Sequence, residues 1–212
     1  VRGVKGTRLP AGRGLEGAEL RSLFGACDVA GAQGARDAAL LAVLYGCGLR
    51  RSEAVALDVA HVDASGALRV IGKGNKERTV PLEPEVEAVL RDYLESRLRK
   101  FPGRIAADAK LFVDNKGRPM QRGALQYLVD RLYREAGIRS RVPAGALVHA
   151  LRHTVATNLA RNGATGTELV SATHGYGGAV VMSTPMGLPG RMRRTPIWLG
   201  ARPVEAGTGT CR

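Results

Sequence analysis

A mainly α-helical domain carrying one small antiparallel β-hairpin is what the 212-residue chain predicts. Three observations carry that expectation. Apolar residues recur with a helical period of about 3.6 in several stretches, most clearly at Leu147, Leu151, Val155 and Leu159. Residues 38–45 are hydrophobic nearly all round, which marks a helix at the centre of a core. Two short β-type runs, 67–71 and 78–82, flank Gly72-Lys73-Gly74-Asn75-Lys76, a hairpin turn by composition.

The elements follow in order. Residues 1–14 are rich in Gly, Arg and Pro and read as a linker or a frayed start, or as the remnant of a missing N-terminal domain. Glu16 to Cys27, with Leu20, Leu23 and Phe24 apolar, predicts a short helix. Gly31 to Gly34 are expected to break the chain, so that Asp37 opens the apolar helix Ala38–Tyr45, ended by Gly46 and Gly48. Ser52 and Glu53 start a further helix to about Leu57. After the hairpin, Glu83 to Arg99 is a long amphipathic helix and Leu111 to Val113 a brief strand. Residues 115–119 then make a turn, Arg122 to Ala136 a helix, and Ser140 to Gly145 a loop leading into the helix around His149. From about Ala164 the chain becomes glycine-rich and lysine-free, with only Glu168 and Glu205 as acids and no periodicity at its end. Three divisions result: 1–14, an organised unit over 15–163, and a divergent tail over 164–212.

The formal net charge of +13 and a pI near 10.5 favour an anionic partner. Nucleic acid is the first candidate and an anionic membrane surface the second. A coding bias toward arginine is the third account, since only Lys5, Lys73, Lys76, Lys100, Lys110 and Lys116 are lysines. Cys27, Cys47 and Cys211 have no metal-ligand spacing and suggest a reduced cytoplasmic protein.

Three stretches carry chemistry. His149, Arg152 and His153 are three and four residues apart on one helix, so an imidazole–guanidinium cluster can form near its N-terminal end and hold a phosphate. Alone, the same residues describe a helix with a charged, solvated edge. Arg50 follows a glycine break at the start of a helix, where its charge adds to free backbone amides. Lys73 stands in a Gly-Lys-Gly tip that permits close approach to a ligand. That tip lacks the four-residue spacing and the Lys-Ser/Thr of a P-loop, which excludes an NTPase reading.

In this order, the stretches Leu44-Tyr45-Gly46-Cys47-Gly48-Leu49-Arg50-Arg51-Ser52-Glu53, Val70 to Leu82 with its Gly-Lys-Gly-Asn-Lys-Glu-Arg run, and His149-Ala150-Leu151-Arg152-His153 resemble the catalytic domain of the tyrosine recombinase (phage integrase) family, in particular its Xer-like members. The resemblance covers 15–163. It implies the DNA breaking-rejoining fold and a site-specific recombinase that cleaves and rejoins DNA through a 3′-phosphotyrosine. Arg50 and Arg152 would hold the scissile phosphate, and Lys73 would protonate the leaving 5′-oxygen. His149 would assist proton transfer at the nucleophile, with His153 a structural neighbour. Neither a metal nor a nucleotide cofactor is implied. The implied partners are double-stranded DNA and further copies of the chain, as a tetramer on paired sites.

The resemblance lapses after Gly163. Family members carry a Leu-Gly-His motif and a tyrosine about nine residues beyond its histidine. Here His174 lies 25 residues after His149, but the ninth residue past His174 is Ser183, while Tyr176 stands two residues on. A serine hydroxyl is a poorer attacking and leaving group than a phenol with a pKa of about 10. The expectation is a truncated or out-of-frame ending that leaves the domain without its nucleophile. The alternatives are Tyr176 as nucleophile and an unusual but working tail. Two other functions compete: a non-catalytic DNA-binding remnant that occupies recombination sites, and a protein-interaction module whose basicity is coding bias.

Overall fold

The computed structural model describes residues 14–72, 74–103, 105–143 and 145–161. Six α-helices and one hairpin make up the architecture of that part. They are α1 (Gly17–Gly25), α2 (Ala32–Gly46), α3 (Arg51–Ala56), β1 (Ala67–Ile71), β2 (Glu77–Pro81), α4 (Pro84–Lys100), α5 (Arg122–Glu135) and α6 (Leu147–Arg161). The mainly helical class with a two-stranded antiparallel sheet is as expected.

Helix α2 is the centre. Ala39 to Leu44 are wholly removed from solvent, and α4 and α6 both pack on this helix. It begins at Ala32, not Asp37, so the glycine-rich stretch 31–34 does not break the chain as its composition suggests. Gly31 caps the helix, and Gly34 lies inside it because the preceding loop crosses there. A Cβ at Gly34 would sit 1.7 Å from the Asp28 carbonyl oxygen. The glycine answers a close approach of two backbones.

Helix α4 starts with Pro84 at its first position, carries Glu85 and Glu87 in the first turn and Arg97, Arg99 and Lys100 in the last, matching the helix dipole at both ends. Its inward side chains do more than fill space. Tyr93 stacks on Phe112 with ring centroids 5.6 Å apart and donates its hydroxyl to the Leu111 carbonyl at 3.0 Å. Arg97, almost fully buried, donates to the carbonyls of Lys110 (2.6 Å) and Leu111 (2.9 Å). This explains why 111–113 is not the strand its residue types predict. The Leu111 carbonyl accepts from α4, that of Phe112 from the Met120 amide and that of Val113 from Arg36, and only isolated bridges remain, Asp58 with Lys110 and Val113 with Pro119.

The hairpin pairs Ala67 with Pro81 through Ile71 with Glu77, so β2 begins and ends one residue earlier than expected. Leu68 and Val70 face the core, fully buried, and Arg78 lies opposite Val70 in register. Before α6, the anticipated loop contains a short 3-10 turn at Arg139–Arg141. Helix α6 is fastened at both sides. The Tyr133 hydroxyl of α5 donates to the Leu147 carbonyl at 3.1 Å, and the Leu15 amide donates to the Thr154 hydroxyl at 2.7 Å. Cys27 and Cys47 are buried free thiols.

Replacing Gly34 by Ala forces backbone apart at the α2 entry and is expected to destabilise the domain by about 2 kcal/mol. Urea denaturation of the two proteins checks this; an unchanged midpoint would show that the loop yields freely.

Candidate functional site

The turn from α2 into α3 sets the first arginine. Gly48 takes the left-handed backbone conformation (φ 57°), which a side chain disfavours, and this reverses the chain directly after the apolar helix. Leu49 is buried and anchors the turn, and Arg50 then caps α3. The Arg50 amide itself is already used. It donates to Glu53 Oε2 at 2.8 Å, the return half of a capping box. What Arg50 offers a ligand is therefore its guanidinium, which is 40% exposed.

Glu53 is buried and gathers three arginines. Arg50 Nη1 donates to Oε1 at 2.8 Å. Arg78, from β2, binds both oxygens at once, Nη1 to Oε1 at 3.2 Å and Nη2 to Oε2 at 2.9 Å. Arg152, from α6, places Nη1 3.9 Å from Oε2 and donates it to the Gly48 carbonyl at 2.6 Å. Arg78 and Arg152 are nearly buried, whereas Arg50 reaches outward. Burial by itself would raise the Glu53 pKa. Hydrogen bonds from the Arg78 side chain and the Arg50 amide, with the Arg78 charge, outweigh it and hold the carboxyl at about 2. Arg152 responds in the opposite sense. Burial and the neighbouring Arg50 charge bring it down to about 10, against the pull of Glu53. Three guanidiniums around one carboxylate leave an excess of positive charge in a place poor in water. An added anion would relieve that strain.

Arg50 and Arg152 open onto a groove of about 510 Å³, whose walls include Gln126, His149, His153 and Arg51. Arg51 donates to Gln126 Oε1 at 2.9 Å and ties α3 to α5 along the rim. His149 and His153 are both exposed on the α6 side, so the imidazole–guanidinium cluster expected from the spacing does form. His153 Nδ1 lies 3.2 Å from the Thr157 hydroxyl. Helix α6 is held in register with α2 by the Asn158 amide donating to the Tyr45 hydroxyl at 3.2 Å.

Arg50, His149 and Arg152 thus come together. Lys73, His174 and Tyr176 lie outside the described residues, as does Ser183. Gly72, the residue before Lys73, does reach the cluster: a Cβ there would be 3.6 Å from Glu53 Oε1 and 3.7 Å from Arg78 Nη1. Glu53 and Arg78 were not singled out from the sequence. Glu53 read as a helix start and Arg78 as a strand residue. The available signal for Arg78 was the two-residue alternation of the hairpin, which turns it toward the same side as Leu68 and Val70. Among the described residues no group of three or more His, Cys, Asp or Glu could hold a metal ion.

The family model described as the phage integrase family matches residues 13–174. The chain belongs to that family. It is 40% identical over 152 residues to the tyrosine recombinase XerD of Ralstonia nicotianae, a match covering 71% of this chain and 48% of the relative. It is 42% identical over 132 residues to the tyrosine recombinase XerC of Methylobacterium sp., covering 61% and 39%. The chain therefore spans about half or less of the length of these relatives. The crystal structure of XerA recombinase superposes with a TM-score of 0.65 at 26% identity, over 83% of this chain and 58% of that one. XerH site-specific recombinase, in a post-cleavage complex with its palindromic difH substrate, gives 0.62 at 26% identity, over 77% and 47%. The described fold is that of an Xer-like tyrosine recombinase catalytic domain, and the groove lies within the matched span of this phage integrase family member.

The Glu53 pKa carries a pH dependence of stability. Its folded value of about 2 lies below its ordinary value of 4.5. Its contribution is complete above the unfolded value and is lost as pH falls through the folded one, a swing on the order of 3 kcal/mol. Glu53→Gln should remove that swing. Chemical denaturation at several pH values across this range is expected to show a steeper acid loss in the native protein than in the variant; parallel curves would contradict the assignment.

Proposed function

We propose that the groove binds and polarises one phosphodiester of double-stranded DNA, as the phosphate site of a site-specific recombinase that cleaves and rejoins strands through a 3′-phosphotyrosine. The supporting observation is the meeting of Arg50 and Arg152, far apart in sequence, on one carboxylate and one groove. In this reading the two guanidiniums donate to the non-bridging oxygens, where charge builds in the transition state. Their donors are set beforehand by Glu53 and the Gly48 carbonyl, so little reorganisation accompanies the reaction. His149 takes the proton of the attacking phenol, and Lys73 gives one to the departing 5′-oxygen. The phosphotyrosine keeps the energy of the broken bond for rejoining.

The nucleophile must be a phenol that can reach phosphorus. Tyr93 and Tyr133 are core residues whose hydroxyls serve backbone carbonyls, and Tyr45 accepts from Asn158. Burial pushes all three phenols up. Tyr127 is exposed on α5 but is not among the residues lining the groove. Tyr176 lies outside the described residues, and under the catalytic reading it is this chain's candidate nucleophile, two residues past His174 in sequence. In this role the protein acts in the cytoplasm as a tetramer on paired DNA sites. No helix among the described residues is long and apolar enough to cross a membrane.

Ser183, standing nine residues past His174, favours a second reading in which the same groove binds DNA without chemistry and occupies recombination sites.

Two measurements separate the readings. Arg50→Ala and Arg152→Ala are each expected to weaken binding to a fluorescent duplex by about tenfold and to lower the slope of log affinity against log salt by about one. Unchanged binding in both variants would remove the phosphate assignment. On a nicked suicide duplex, a covalent protein–DNA species lost in Tyr176→Phe supports catalysis, and its absence despite salt-sensitive binding supports the second reading.

A further inference from the structure

Glu53 has two oxygens, and the arrangement of arginines around them is unequal. Arg78 engages both in a planar fork, the Arg50 guanidinium donates Nη1 to Oε1 while the Arg50 amide takes Oε2, and Arg152 Nη1 stays 3.9 Å from Oε2. A carboxylate and a guanidinium prefer the two-pronged geometry, because both partners are planar and their donors and lone pairs match. Arg50 and Arg152 are chemically as able to form it as Arg78. Were either to do so, its paired nitrogens would turn inward to Glu53 and away from the groove.

We infer that Arg78 is a positioning residue of the phosphate site: by occupying Glu53 with a bidentate fork from the hairpin, it keeps Arg50 and Arg152 from closing onto that carboxylate, so that both stay on the groove wall. The inference rests on the phosphodiester reading of the groove. Three features of the structure argue for it. Arg78 is nearly buried, and both of its Nη atoms are spent on Glu53. It is not among the residues lining the groove. It also comes from a different element, β2, where it pairs in register with the buried Val70. Charge leads to the same conclusion. With Arg78 present, one carboxylate is shared among three cations and the pair facing the groove keeps most of its charge. With Arg78 removed, Glu53 neutralises one of that pair.

A merely supporting strut and a positioning residue differ in how they respond to Glu53. If Arg78 only supports the fold, deleting the Glu53 charge as well makes matters no better. If it occupies Glu53, the second change relieves the first. The test is binding of the 212-residue protein to a short fluorescent DNA duplex, by anisotropy over a salt series, for Arg78→Met, Glu53→Gln and the double variant, with thermal unfolding as the control for folding. Arg78→Met is expected to bind about tenfold more weakly than the native chain and with a shallower salt slope. The double variant is expected to recover to within about threefold of native. Native affinity in Arg78→Met, or a double variant as weak as Arg78→Met, overturns the inference. Where Arg78→Met does not fold, Arg78→Lys takes its place, keeping the charge while losing the fork. Weakening relieved by Glu53→Gln supports the role, and native binding ends it. Arg50→Ala and Arg152→Ala run in parallel: if they weaken binding while the Arg78 variants do not, only this inference falls, and if they too bind as the native chain does, the phosphate reading falls with it.

Discussion

One buried carboxylate holds the site together. Without Glu53, three guanidiniums would have to share a poorly hydrated space with nothing to offset their mutual repulsion, a cost that packing alone does not repay. With it, the cluster can fold and still keep more positive than negative charge. The ratio matters. One carboxylate per arginine would leave no attraction for phosphate, and no carboxylate would leave no stable cluster. The depressed Glu53 pKa and the lowered Arg152 pKa are two views of that imbalance, one from the shared anion and one from a crowded cation.

The rest of the fold brings those charges to one place and keeps them still. Helix α2 supplies the apolar centre, and its exit through Gly48 aims Arg50 while the Gly48 carbonyl receives Arg152. Helix α6 packs on α2, with Leu151 and Val155 buried, and is fastened by Leu15, Tyr133 and Asn158, so Arg152 hangs from a rigid element rather than a loop. The hairpin brings Arg78 from a third direction. Further off, Tyr93 and Arg97 saturate the backbone at 110–111 and let an irregular segment be buried beneath α4. Side chains on regular elements thus satisfy the irregular ones, and the site inherits its stiffness from that arrangement.

The chain belongs to the phage integrase family and spans about half or less of its curated relatives. The described part holds Arg50, Arg152 and His149 around one groove, while Tyr176 and Ser183, on which the two proposed readings diverge, stand beyond it in sequence.

Periodicity by itself located five of the helices and the hairpin to within a few residues, because helix and strand patterns are local and the core favours them strongly. The sixth, α2, lost its first turns to a general expectation about glycine, and the reason Gly34 is there at all is a backbone crossing that sequence does not display. Leu111 to Val113 carries β-type residues, yet Tyr93 and Arg97 claim the Leu111 carbonyl and Arg36 that of Val113. Arg50, His149 and Arg152 were legible because each is a phosphate- or proton-handling group in a compact motif. Glu53 and Arg78 lie in the same stretches but were not, because locally one is a helix-capping acid and the other a strand arginine. Their pairing joins positions 25 apart, and their link to Arg152 spans a still longer separation. Residue order determined which chemical groups the chain possesses and which short elements carry them. Only the packing of α2, α6 and the hairpin decided which guanidiniums share a single carboxylate, since that depends on distances no local pattern encodes.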